Sequence, residues 1–172
     1  MTVEPDTKDW TWVIEKRCPE CGFDARSIPR ADLPDLIRSN AGAWPAVLAR
    51  PDVRVRPDPR TWSPLEYACH VRDTCRVFAG RLELILAEDD PLFANWDQDA
   101  TAIEEDYAVQ DPHAVTAELL RSAGEIASGF AAVRPDQWDR TGRRSNGSVF
   151  TVETLARYFV HDPVHHLHDV GG

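Results

Sequence analysis

The chain has 172 residues, 42% hydrophobic and 28% charged, which suits one folded domain whose core needs no disulfide staples. Its 19 basic and 29 acidic side chains give a net charge of -10, which argues against a nucleic-acid backbone as the main partner. No apolar run approaches the ~20 residues of a membrane span, and the acidic opening MTVEPDTKDW lacks an apolar signal core, so a cytoplasmic protein with no membrane partner is expected.

Residues 1–31 read as a structured arm. Trp10, Trp12 and Phe23 supply aromatic anchors, and Cys18-Pro19-Glu20-Cys21-Gly22 supplies a CxxC pair. Residues 32–172 follow as a helical unit. Its first amphipathic segment, about Asp32 to Ala49, spaces Leu33, Leu36, Ile37, Trp44, Val47 and Leu48 near a helical period and stops before Pro51. The proline-rich stretch after it has room for a short extended piece at Val53–Val55. A second helix opens at Ser63-Pro64-Leu65-Glu66, a capping box with proline at the first helical position, and runs to about Ala87. Some twenty residues then carry Phe93, Trp96, Ile103 and Tyr107; a connection of about that length is a lid or a long crossover. A third helix spans about Asp111 to Val133, and a fourth begins near Thr151 after a short extended piece at Ser148–Thr151. The expected fold class is all-α, an antiparallel four-helix bundle with one long crossover, preceded by the CxxC arm.

Four of the six histidines fall in His161-Asp162-Pro163-Val164-His165-His166-Leu167-His168. On a helix, positions i and i+4 differ by about 40° of rotation, so His161 and His165 share a face, and His168 joins it at i+3 from His165. Two imidazoles one turn apart can reach one metal ion, but spacing does not choose between the 161/165 and 165/168 pairs. His166 points roughly 140° from His161 and is expected at the surface or behind the ligands. His70 lies just over one turn into the second helix, and His113, beside Pro112, reads as an exposed residue. Pro163 removes a helix hydrogen bond to the Phe159 carbonyl, so a kink with Asp162 capping a restarted helix is expected there.

The segment Thr61-Trp-Ser-Pro-Leu-Glu-Tyr-Ala-Cys-His70-Val-Arg-Asp, with Val160-His161-Asp-Pro-Val-His165-His-Leu, resembles the DinB-like family. That family comprises metalloenzymes related to mycothiol-dependent maleylpyruvate isomerase and bacterial thiol S-transferases. The resemblance covers Asp32 to the C-terminus. It implies a four-helix bundle with one histidine on the second helix and an HxxxH pair on the last, so that His70, His161 and His165 hold one divalent metal ion, zinc or nickel foremost. Three neutral nitrogens leave coordination positions open, as in catalytic sites. The implied activity is thiol-dependent transferase or isomerase chemistry, in which a low-molecular-weight thiol such as mycothiol attacks a small electrophile. The partners are then that thiol and a small-molecule substrate, with a homodimer left open. The alternative is a non-catalytic metal-binding or stress-response protein.

Around that site Asp73, Asp162 and Asp169 are candidates for orienting the imidazoles, and Tyr67, Arg72 and Tyr158 for lining the pocket. Cys18 and Cys21 form half a zinc knuckle whose second half is missing. Cys69 and Cys75 lie in a helix and suit core packing, and His168 is another spare ligand. One metal per chain is therefore expected, with Cys18 and Cys21 free or reversibly paired on an arm near the site's mouth.

Overall fold

A computed structural model of the protein describes residues 10–172; the acidic stretch 1–9, on which the expectation about the N-terminus rests, lies outside the described residues. Four long helices form the body: α1 (Leu33–Leu48), α2 (Pro64–Ala87), α4 (Pro112–Ala131) and α5 (Val152–Asp169), with a short α3 (Gln98–Glu104) in the connection between α2 and α4. The helix starts follow local chemistry. Ser63 Oγ accepts from Glu66 N at 3.3 Å while Glu66 Oε2 accepts from Ser63 N at 2.9 Å, which completes the expected capping box. Asp111 caps α4 by accepting from Ala114 N at 3.1 Å, and Thr151 accepts from Thr154 N at 3.1 Å to open α5.

The apolar faces meet in one core that includes Ile37, Trp44, Leu65, Phe78, Leu119, Ile126, Leu155 and Phe159. Helix α2 packs on α4 and α5, and α1 packs on the same two, so α1 and α2 sit across a diagonal although they are consecutive in sequence. The loop from α1 to α2 therefore crosses the bundle. That loop is made of turns rather than the extended piece expected at Val53–Val55: Val53 is buried and its carbonyl accepts from Leu65 N at 2.9 Å, while Val55 faces solvent.

The helical expectation also omits a small mixed sheet. Strand β1 (Leu92–Phe93) runs parallel to β2 (Thr141–Arg144), which pairs antiparallel with β3 (Val149–Thr151). Gly142 lets β2 cross this end of the bundle, because a Cβ there would stand 2.5 Å from the Phe93 ring and 2.8 Å from Ile85. The sheet delivers the chain directly into α5. That helix is continuous through Pro163, without the expected restart, and the Pro163 carbonyl accepts from Asn40 Nδ2 at 3.1 Å.

The arm, residues 10–32, consists of three short 3-10 turns and packs on α5. Val13, Cys18 and Ala25 are its buried anchors. Trp10 stacks on Trp12 at 5.7 Å and lies 5.6 Å from the His161 ring and 5.3 Å from the His165 ring.

Candidate metal centre

Helix α5 presents its histidine run on two faces. His161 and His165 turn toward the arm, and Asp162 and His166, one residue later in each case, turn toward α2. A single step along a helix rotates a side chain by about 100°, which separates the two i,i+4 pairs. The structure therefore does not bring the expected triad together: the ligating atoms of His161 and His165 converge with those of Cys18 and Cys21, whereas His70 converges with Asp162 and His166. His166, expected behind the ligands, belongs to the second group. His168 and His113 are exposed and join neither.

In the α2-facing group, His70 Nε2 lies 3.3 Å from Asp162 Oδ2 and 3.3 Å from Thr74 Oγ1. His166 Nε2 is 3.7 Å from the same Asp162 oxygen, and the His70 and His166 rings meet edge to face at 5.0 Å. His70 is buried at 1% exposure, held between Trp96, stacked at 5.6 Å, and Trp62 at 5.3 Å. Burial pushes the Asp162 carboxyl up, but His70 and His166 beside it outweigh that and hold it below the usual carboxylate range. Two buried atoms here have no hydrogen-bond partner, His70 Nδ1 and Asp162 Oδ1. An unpaired carboxylate oxygen among imidazoles is a costly arrangement for the protein alone, and a bound cation relieves it. The donor set, two imidazoles and one carboxylate, fits a divalent ion with open coordination positions.

In the arm-facing group, Cys18 Sγ lies 3.7 Å from His165 Nδ1 and Cys21 Sγ lies 3.8 Å from His161 Nε2. Neither cysteine is in a disulfide. Burial, then the neighbouring His165, lowers His161 to about 4, and burial also lowers His165, so both rings are neutral at neutral pH.

Asp169 touches both groups. Its Oδ2 is 3.0 Å from His166 Nδ1 and its Oδ1 is 3.6 Å from His165 Nε2. Of the carboxylates considered from sequence, Asp169 thus orients imidazoles and Asp162 is itself a potential ligand. Asp73 does neither: it is bound by Arg72, by Arg76 and by the Tyr107 hydroxyl, which donates to it at 2.6 Å. Arg72 is buried in that network with Glu118 and is absent from the pocket. Cys69 and Cys75 pack in the core, where burial raises both thiols to about 12.

A cavity of about 760 Å³ runs along α5 past both groups: Asp162 and His166 line it, as do His161, His165 and Trp10, with Tyr67, Trp96 and Tyr158 on the side toward α2. Arg81 and Arg144 also line it. Arg81 lies over the Phe78 ring at 4.9 Å, and burial, then the neighbouring Arg144, lowers it to about 10. Trp96 belongs to the connection between α2 and α4, so that segment covers the site, as its length suggested. Its Phe93 and Tyr107 are buried, while Ile103 is exposed.

The pair Asp162-x-x-x-His166 is absent from the expected ligands; it is an i,i+4 pair offset by one residue from His161-x-x-x-His165. It is disguised because one ligand is an aspartate.

Comparisons with known proteins agree with this architecture. The family model described as the DinB superfamily matches residues 36–170, and the chain belongs to that superfamily. Among solved structures it is similar to YfiT from Bacillus subtilis, described as a probable metal-dependent hydrolase with an unusual four-helix bundle topology. The TM-score is 0.70 at 17% identity, over 91% of this chain and 89% of that one, a likeness of fold. A search of curated proteins gives no match. The family match begins at residue 36, so Cys18 and Cys21 precede it. No helix among the described residues is long and apolar enough to cross a membrane.

Proposed function

We propose that the protein is a divalent-metal-dependent enzyme whose centre is His70, Asp162 and His166, acting on a small anionic electrophile with a low-molecular-weight thiol as co-substrate. The observation that carries this reading is the pair of unpartnered buried atoms, His70 Nδ1 and Asp162 Oδ1, in a group whose Asp162 and His166 line a cavity large enough for a small molecule. YfiT's description as a metal-dependent hydrolase is consistent with it. A divalent ion held by these side chains would act as a Lewis acid, lowering the pKa of a thiol or water brought to it.

The chain's own residues supply the rest. Arg81 and Arg144 give the cavity a cationic wall suited to a carboxylate, since guanidinium groups pair with carboxylates bidentately. Burial raises the Tyr158 hydroxyl, which keeps it a neutral donor on the same wall. Trp62 and Trp96 hold His70 and exclude water from its face. In the thiol reaction the sulfur forms a bond to the electrophilic carbon, the displaced electron pair moves onto the substrate, and the thiol proton ends on the adduct.

The test is turnover of an unsaturated carboxylic acid with mycothiol, measured before chelation, after it, and after divalent metal is restored. Turnover that is lost, regained, and absent in Asp162→Asn is expected. Hydrolysis without any thiol would replace the thiol by water at the same centre. Metal bound by the triad with no turnover of either kind would favour a metal-binding protein.

A further inference from the structure

We infer that Cys18, Cys21, His161 and His165 form a second metal site, a closed structural zinc centre that clamps the arm onto α5. It uses none of the residues proposed for catalysis and does not depend on that reading.

Four observations converge on it. The donor set is two thiols and two imidazoles, and the four ligating atoms lie within 4.8 Å of one another. With Zn–S near 2.3 Å and Zn–N near 2.0–2.1 Å, a tetrahedral ion needs sulfur-to-nitrogen edges of about 3.6 Å. The two measured edges are 3.7 and 3.8 Å, so little movement is required.

The arm around the cysteines is also shaped for a metal. Cys18 N donates to the Phe23 carbonyl at 2.8 Å, and Gly22 N donates to the Cys18 carbonyl at 2.9 Å. Gly22 takes φ +75°, a conformation that favours glycine, which closes the turn so that both sulfurs point the same way. The Phe23 backbone N–H points at the Cys21 sulfur. A backbone donor aimed at sulfur is what a thiolate ligand uses.

Behind the ligands, His165 uses Nδ1 toward Cys18 and leaves Nε2 to Glu20 at 3.5 Å and Asp169 at 3.6 Å. A ligating histidine that hands its other nitrogen to a carboxylate is the usual outer arrangement of zinc sites. Finally, the residues joined are 147 and 140 positions apart, so the ion would fasten the arm to the last helix. Four protein ligands leave no open position, which makes the site structural. Binding would release the two thiol protons.

Cobalt(II) titration of metal-free full-length protein tests this directly. Wild type should develop sulfur-to-cobalt charge-transfer absorption together with the intense visible bands of tetrahedral cobalt. His70→Ala should keep those bands, and Cys18→Ser/Cys21→Ser should lose them along with one equivalent of bound zinc. Cobalt binding to wild type with no sulfur charge transfer would overturn the site. Should the double variant fold poorly, alkylation of wild type decides. Zinc should slow modification of Cys21 at least tenfold, reversed by chelation, and equal rates with and without zinc would overturn the site.

Discussion

The two faces of α5 carry nearly the same sequence signal and meet different partners. One face pairs His161 with His165, the other Asp162 with His166, each one helical turn apart. The arm-facing pair meets two cysteines from outside the bundle and becomes a closed set of four donors. The α2-facing pair meets one histidine from within the bundle and stays a set of three donors, and both pairs border the same cavity. In the proposed assignment, what separates a fastening from a reaction centre is the number of donors the rest of the fold brings to each face. Three ligands beside a cavity leave room for substrate, whereas four leave none.

The sharpest break in this comparison comes from removing the fastening. Cys18→Ser/Cys21→Ser is expected to destabilise the protein by about 2–5 kcal/mol, the range for losing a cross-link that closes a long loop. Thermal unfolding of zinc-loaded wild type and variant measures it, and protease should then cut the arm first. Equal melting temperatures would mean that the arm's aromatic packing on α5 suffices.

The next largest effect falls on the open face. Asp162→Ala should weaken metal binding by the triad about 100-fold or more, because loss of even an outer-shell partner costs about 10–100-fold. Cobalt titration should show the thiolate bands unchanged and the second equivalent gone. Loss of both equivalents together would mean that the faces are not independent.

The bundle was legible in the sequence because its signals are local. Ser63, Glu66, Asp111 and Thr151 mark helix starts through their own side chains, and helical periodicity places Ile37, Trp44 and Leu155 in the core. The sheet was less legible. Strands of two to four residues such as Leu92–Phe93 and Thr141–Arg144 are too short to show alternation. At the site, metal-type spacing in α5 and a histidine on α2 facing it were readable, and which residues of α5 that histidine meets was not. A helix carrying two i,i+4 pairs of potential ligands, 161/165 and 162/166, offers two registers one residue apart. Only the direction in which α2 and the arm approach decides which register each meets. The CxxC was equally ambiguous, because its partners are more than a hundred residues away and lack a second knuckle.

Asp169 allows the comparison to be sharpened with one side chain. It reaches His166 with one oxygen and His165 with the other, and so steadies an imidazole on each face. Asp169→Asn is expected to lower metal affinity at both faces by about 10–100-fold without removing a ligand from either. Competition with a chelator of known affinity, followed separately by the thiolate band and by total metal, distinguishes the two. A change on one face alone would assign Asp169 to that face.

The smallest expected effect lies at the start of α2, about two turns before His70. Ser63→Ala should cost about 1 kcal/mol through loss of the cap. Its partner Glu66 adds a pH dependence whose sign is fixed. Burial raises the Glu66 carboxyl, but Arg56 and the Ser63 N–H and hydroxyl outweigh it and leave the group below its ordinary value. A carboxyl lowered by folding contributes stability that is complete above its unfolded pKa of about 4.3 and is lost as pH falls through the folded value. Glu66→Gln should therefore be less stable than wild type at pH 7, with the difference shrinking below about pH 4 in denaturant titrations. Neither substitution touches the Cys18–Cys21 side of α5, so the thiolate bands should stay as in wild type while the triad's affinity moves slightly with its helix. A shift in the thiolate bands on Ser63→Ala would show that the two faces communicate through α5.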